Sequence, residues 1–540
     1  MQENYEEFSK SQLQILDRYV SNPTSNVFVL RNLPEVIKGA LFSRYSRSCL
    51  GLRSLLLKDF ILNEETAFGE IVSEVKDEVD AQVVAIKKAQ NFYDRILDGY
   101  GDDSIGELGG AHLALENISM LAAKEIEDSR IGGSPLEKST RYIYFDQKVD
   151  GEYLFYKEDT LMTSAFRETY LETCVMLFDT YGKLIPPLTE QIEKSFPREE
   201  NVSKVAYTAA LRAKVLDCLR GLLPASAMTN MGVFGNGRFF ETMIQKLNNK
   251  NLLEFQHLGK KSYDELSKVM PSFVRRSEQG HRHQKAFCQF KEKMDSKLKA
   301  LASYHSEKIP ASENQAVKLV DFDPTAPTKL AAGLLYEKCM SSLSDLQNYS
   351  TNMSDQERME LFAATCDSRE NRRHKSPRAL EQVFFTFDLL ADFGVYRDLQ
   401  RHRMLTQERQ LLTCDYGYYI PEEIKGNKME KVYCDALDQA KDVFDHIFVQ
   451  LPEEAQYVVP MAYNVRWYFH VNLRALQWMC ELRSSPQGHA SYRFLAQEMA
   501  CQVIKKFPEF SPFFKFVDFE GYDLGRLSAE IKQETKAQTV

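Results

Sequence analysis

Val383-Phe384-Phe385-Thr386-Phe387-Asp388-Leu389-Leu390 leads into Tyr396-Arg397-Asp398-Leu399-Gln400-Arg401-His402-Arg403. The first run is aromatic and aliphatic enough to read as a buried strand, and the second reads as a basic helix. On that helix Arg397 and Arg401 are i, i+4 neighbours, as are Asp398 and His402. Like charges on one face cost roughly a few tenths of a kcal/mol unless an anion or a carboxylate lies between them. The planar guanidinium fork suits phosphate, and His402 adds a donor of tunable charge. A buried strand feeding a basic helix is one way to build an anion site, with a solvated basic face as the alternative.

Downstream of this stretch, Pro460, Asn472 and Arg474 have counterparts at Pro224, Asn236 and Arg238, each 236 residues earlier. In each block an aliphatic pair precedes the proline, and Asn-x-Arg follows twelve residues later. Upstream, Glu381 to Arg403 matches Glu107 to Arg130 at an offset near 273. The offsets differ by about 36, which places an insertion in the first half between Asp146 and Arg198. This pattern suggests a tandem duplication, with coincidence of common residues as the alternative. Asn472-Leu473-Arg474 follows a second strand-like run, Val465 to Val471, and opens a helix ending at Leu482-Arg483. Such a helix holds Arg474 and Arg483 roughly 14 Å apart, enough to address two parts of one nucleotide. In the first half, Gly132-Gly133-Ser134-Pro135-Leu136-Glu137-Lys138-Ser139-Thr140-Arg141-Tyr142 offers glycines, hydroxyls and an arginine for an anion, or forms a plain turn capped by Ser134.

Glu64 to Ile96 and Thr160 to Ile185 read as amphipathic helices, and Tyr142 to Phe145 as an extended segment. Gln284 to Ala326 is charged and polar, a linker or a surface helix. With 68 basic against 77 acidic residues the chain carries −9, so no bulk basic field holds nucleic acid, and anionic ligands depend on local arginines. No apolar run reaches membrane-spanning length. The start, Met1 to Glu7, is acidic where a targeting peptide is basic, so a cytoplasmic location is expected. The ten cysteines are scattered, which speaks against a zinc or CxxC site and for inert reduced thiols. His281-Arg282-His283 lacks a third ligand nearby, and no metal site is expected.

Glu381 to Phe387, Arg401-His402-Arg403 and Tyr418-Tyr419-Ile420-Pro421 together resemble the flavin-dependent thymidylate synthases, the ThyX family. The signature of that family is RHRxxSxNExSxRY. Val471 to Leu476 and Glu481-Leu482-Arg483, followed by His489-Ala490, are similar to its later binding elements. Ser134 to Tyr142 fits the SxNExSxRY end of the signature, with Leu136 in place of asparagine and Asp102-Asp103-Ser104 and Glu107 upstream. The resemblance implies a mixed α/β (α+β) fold made of two diverged copies, each helix-rich with a central sheet. The expected units are 1–285, with the insertion near 146–198, and 327–525, joined by a linker at 286–326 and followed by a polar tail at 526–540. It also implies methylation of dUMP to dTMP with methylenetetrahydrofolate and NADPH as co-substrates and FAD as cofactor, without a cysteine nucleophile.

The signature is divided between the halves. The second keeps Arg401, His402, Arg403 and Arg483, then diverges at Thr406 to Leu412 and carries Gln456 where the family has an arginine. The first has lost the RHR but keeps Glu137, Ser139, Arg141 and, four residues before Pro224, Arg220. One complete site shared by the halves is the expectation this division supports. In it Ser139, Arg141 and Arg220 bind the dUMP phosphate and sugar, and Arg483 lies against the uracil as the catalytic arginine. Arg401, which also reaches the substrate, holds the flavin diphosphate with His402 and Arg403, while Glu137, Asn472 and Arg474 serve the cofactor. The family forms homotetramers, so a homodimer of this longer chain is expected. The alternatives are a duplicated flavin- or nucleotide-binding relative without synthase activity, and a helical interaction protein without a ligand.

Overall fold

The backbone repeats itself where the sequence does. The computed structural model describes residues 8–46, 48–61, 106–129, 131–310 and 314–539. The first copy runs through β1 (Gly110–Ser119), α1 (Met120–Glu127), β2 (Gly133–Glu137), a small hairpin of β3 (Lys148–Val149) and β4 (Glu152–Tyr153), then α2 (Arg167–Ser195) and α3 (Lys204–Leu219). It continues through β5 (Met228–Asn236), α4 (Gly237–Asn248), α5 (Leu253–Leu266) and the long α6 (Arg282–Ser306). The second copy comprises β6 (Val317–Phe322), β7 (Phe384–Asp392), α7 (Phe393–Leu399), β8 (Leu405–Arg409), α8 (Lys428–Phe448), β9 (Asn464–Asn472), α9 (Leu473–Arg483) and α10 (Ala490–Lys506), and α11 (Leu527–Thr539) follows it.

The sheets are ordered β1-β5-β2 and β6-β7-β9-β8, so the second repeats the first with one added edge strand. Alternation explains the central strands: Phe385, Phe387 and Leu389 of β7 and Val465, Trp467, Phe469 and Val471 of β9 are buried on one side. The two strands pair antiparallel from Phe384↔Asn472 to Asp392↔Asn464. Asn236 and Asn472 end equivalent strands and cap equivalent helices, their side chains accepting from the N–H groups of Phe239 and Ala475. Backbone hydrogen bonds also recur, with donors 273 residues apart and acceptors 236 apart. Met120 N–H donates to Ala227 O and Leu121 N–H to Ala225 O, as Phe393 N–H does to Tyr463 O and Gly394 N–H to Met461 O.

By internal contacts the described chain divides into two units. One holds residues 1–116, 125–137 and 230–310, and the other residues 117–124, 138–229 and 311–540. The first copy therefore gives α2 and α3 to the unit that contains the whole second copy. Within this second unit the duplicated prolines meet, Pro224 and Pro460 forming an antiparallel bridge. Ala225 N–H donates to Val459 O (2.8 Å) and Met461 N–H to Leu223 O (2.9 Å), two bonds that exchange when 236 is added to one copy's numbers. Ser226 N–H to Tyr457 O and Ala462 N–H to Gly221 O are related in the same way. A local two-fold relation thus runs through the proline bridge.

The first copy's excess residues fall in two places. Phe155↔Ala227 and Tyr418↔Tyr463 are equivalent bridges. The Tyr170 and Tyr433 hydroxyls likewise donate to Tyr156 O and Tyr419 O, with Tyr170 and Tyr433 263 residues apart. The offset has therefore fallen by about ten across the β3–β4 hairpin, and the remainder lies in the extra length of α2 and in α3, beyond the single span expected from the sequence.

Other sequence expectations have mixed outcomes. Thr160 to Ile185 is helical, with a break between a short helix, Asp159–Thr163, and α2. Tyr142 to Phe145 is a turn and not a strand: Ser139 Oγ accepts from Arg141 N–H and Ser139 O from Tyr142 N–H, so the chain bends there. The stretch 286–326 contains most of α6, and then β6, which pairs with β7. Residues 527–539 form α11, and Ser203 at the start of α3 donates to Glu534 of α11. The expected helix Glu64 to Ile96 lies outside the described residues. Among the described residues no helix is long and apolar enough to cross a membrane.

Candidate active site

Helix α7 ends at Leu399, earlier than the basic run suggests, and this changes the geometry of the arginines. Gln400 turns its side-chain amide onto Lys124 O, and His402 N–H donates to Leu399 O, so the chain leaves the helix before Arg401. Arg397 and Arg401 consequently do not share a helical face. Arg397 is buried with Nη1 2.8 Å from Met461 Sδ, whereas Arg401 is partly exposed. The pairing of Asp398 with His402 on one face fails for the same reason. Asp398 instead takes Arg401 Nη2 on one carboxylate oxygen (2.9 Å) and Arg220 Nη1 on the other (3.0 Å). An arginine from each copy is thereby tied to one buried carboxylate. Burial opposes ionisation of Asp398, but Arg220, Arg401, Arg483 and Arg141 outweigh it and hold the carboxyl well below the usual range.

Tyr492 of α10 joins the remaining two arginines. Arg141 Nη1 donates to its hydroxyl at 3.0 Å, and the Arg483 guanidinium lies 5.4 Å from its ring centre. Arg141 also forms a bidentate pair with Asp217 of α3 (2.5 and 2.6 Å) and donates to Gln487 O. Arg483 Nε donates to His402 Nε2 at 2.9 Å, so that nitrogen carries no proton. Burial, then Arg483 and Arg401, push the His402 imidazole well below its ordinary value. His489, the cap of α10, accepts Ser491 N–H at Nδ1 and reaches Asp217 O through Nε2 (3.2 Å). Burial and the neighbouring arginines push it down to about 3, so it too is neutral. Four arginines thus gather around Asp217 and Asp398, with Asp392 also beside Arg220, so positive charge is in excess by one. Arg220 Nη2 is buried there without a hydrogen-bond partner among the described residues, a donor suited to an incoming oxyanion.

Arg401, His402, Arg403, Asn472 and Arg474 all line one cavity of about 530 Å³. Arg372, Lys375 and the half-exposed Trp478 share its wall. Arg474 is held in place by Glu381 (2.6 Å) and Ser376 O (2.9 Å). The first copy keeps the equivalent ion pair, Arg238 with Glu107 at 2.8 Å. Ser139 shapes the turn that presents Arg141, and Glu137 ends β2 opposite Met231 in the sheet of the first unit. Sequence reasoning missed Asp217, the bridging role of Asp398, and Tyr492. Only the placement of Asp217 three residues before Arg220, near a helix end, hinted at a charged pair. Five of the ten cysteines are buried, and burial pushes the thiols of Cys174, Cys218, Cys366, Cys414 and Cys480 up, away from nucleophilic character.

Comparison with known proteins places this geometry. The family described as thymidylate synthase complementing protein matches twice, over residues 63–272 and 318–509. A UPF0159 protein of Chlamydia pneumoniae is 54% identical over 530 residues, covering 98% of each chain. One from Thermoplasma acidophilum is 34% identical, covering 93% of this chain and 99% of its own. A flavin-dependent thymidylate synthase of Clostridium tetani is 27% identical over 229 residues, 37% of this chain and 79% of its own. The two matched regions are the two copies seen in the fold, and the chain belongs to the thymidylate synthase complementing protein family.

Proposed function

We propose that the chain is an FAD-dependent thymidylate synthase that converts dUMP to dTMP with methylenetetrahydrofolate and NADPH. The observation that carries this reading is the convergence of Arg141 and Arg220 from one copy with Arg401 and Arg483 from the other around Asp398 and Tyr492. The cavity of about 530 Å³ fits FAD: Arg372, Lys375, Arg401, Arg403 and Arg474 suit a diphosphate, and Trp478 offers a flat apolar surface for a ring. Bound and reduced, the flavin supplies the hydride that completes the methyl group. The chain's own residues bind and orient. Arg220 and Arg141, with Ser139 beside them, hold phosphate and sugar. Neutral His402 fixes the direction of Arg483, which stabilises negative charge at a uracil oxygen. Asp398 keeps Arg220 and Arg401 apart and aimed. Two chains together supply the four copies of the family's tetramer, so the assembly is a homodimer.

A second reading, a ligand-binding relative without synthase activity, is favoured by one observation: Arg141 already spends its donors on Asp217, Tyr492 and Gln487. Visible absorbance of the purified protein tests for flavin. Anaerobic oxidation of the reduced flavin on adding dUMP and methylenetetrahydrofolate then separates the two readings. Arg141→Ala and Arg401→Ala are each expected to abolish turnover, and full activity in either variant removes the shared site.

A further inference from the structure

We propose that Arg526, which lies beyond the second copy, is a further phosphate-binding residue of the cavity that holds Arg141. This rests on the reading of Arg141 as a ligand of the dUMP phosphate. Its walls include Arg141, Lys214, Asp217, His489, Gly525 and Arg526. Lys214 is paired with Glu423, and Arg141 with Asp217. Among the described residues Arg526 has no carboxylate partner of this kind. Its guanidinium stacks 4.1 Å from the ring centre of Tyr142, the residue after Arg141, and Nη2 donates to the Tyr142 hydroxyl. Its Nη1 is buried and lacks a hydrogen-bond partner among the described residues. A buried guanidinium N–H at a cavity wall is completed by an oxyanion acceptor, and a phosphate monoester supplies one.

The segment that carries Arg526 is fixed closely over the cavity. Asp518 N–H donates to Ser484 Oγ (3.0 Å), Arg493 Nη2 to Glu520 O (2.8 Å) and Tyr522 to Asp518 (2.9 Å). A Cβ at Gly525 would stand 1.9 Å from Pro486 O, so glycine is what allows the segment to seat on the 486–489 loop. Beyond it, α11 is tied to α3 by Ser203 and Glu534. Lys214 and Asp217 of α3 and residues 522–526 wall the same cavity. Asp523 on the same wall is solvent-exposed, and Arg493, also on it, is paired with Asp518.

Titration calorimetry on the full-length, flavin-loaded protein tests this with dUMP, deoxyuridine and inorganic phosphate. Arg526→Gln is expected to weaken dUMP binding by at least about tenfold, with deoxyuridine affinity and the flavin spectrum unchanged. Gly525→Val, which unseats the segment without touching the guanidinium, should show the same phosphate-specific loss. Wild-type dUMP affinity in both variants overturns the assignment, and if synthase turnover is also intact the thymidylate reading survives it. Conversely, if the wild-type protein binds phosphate but not dUMP, and Arg526→Gln loses that phosphate, the anion site stands and the thymidylate reading falls.

Discussion

At the scale of single residues, the site is held by neutral histidines between charged neighbours. The His489 ring is buried between a backbone N–H and a backbone carbonyl, and its pKa is pushed down to about 3 by burial and by Arg220 and Arg141. The unfolded chain binds a proton there near pH 6.5, so between about pH 6.5 and 3 the unfolded state holds more protons and stability falls as pH falls. The loss is about 1.4 kcal/mol per pH unit for this group. His489→Asn retains a helix cap and removes the titration. Urea denaturation at about pH 7.5 and about pH 5 should show the variant losing about 2 kcal/mol less than the wild type. His402, also depressed, adds a slope of the same sign in both proteins. The arginines of this site were legible in the sequence because they stand in spaced motifs. Asp217 was not, because its partner Arg141 is 76 residues away and no local pattern marks a carboxylate selected for a distant guanidinium.

Among the elements, the turn at Arg220–Leu222 is tightly enclosed. A Cβ on Gly221 would come 2.2 Å from the Tyr433 hydroxyl and 3.0 Å from the Ala462 Cβ, and Tyr433 is fully buried. Gly221→Ala is expected to destabilise the protein by about 1–3 kcal/mol, the cost of overpacking, measured by chemical denaturation. The strands β7 and β9 and helix α9 were readable from apolar alternation and from the Asn cap. Strand β6 was not: Val317-Lys318-Leu319-Val320-Asp321-Phe322 is an edge with polar outward positions, and beside a charged helix it looks like linker. At Tyr142 to Phe145 aromatic β-propensity misled, because the Ser139 turn and the stacking of Arg526 on Tyr142 decide the path. The tandem offsets identified equivalent residues correctly, but a difference of two offsets cannot show that the excess is split between a hairpin and a helix.

On the scale of the whole molecule, the second copy is not independent of the first. Helix α2 packs against α8, and residues 457–462 take backbone partners from 221–226. Residues 311–540 produced alone are expected to bind a hydrophobic dye and to melt without a sharp transition. Fusing residues 138–229 to them should restore a cooperative melt. A sharp transition for 311–540 alone would contradict the contact-based division of the chain.

The bridge between Pro224 and Pro460 has a kinetic consequence. Identical subunits that share a site must find each other, and the site dissolves when they are diluted. Here the two faces are tethered, and their encounter is intramolecular at an effective concentration set by the connecting chain. This junction therefore neither weakens at low expression nor exchanges partners. Because each face exists once per chain, a substitution on one is not imposed on the other, and the two can drift apart in charge and shape while the junction between them persists.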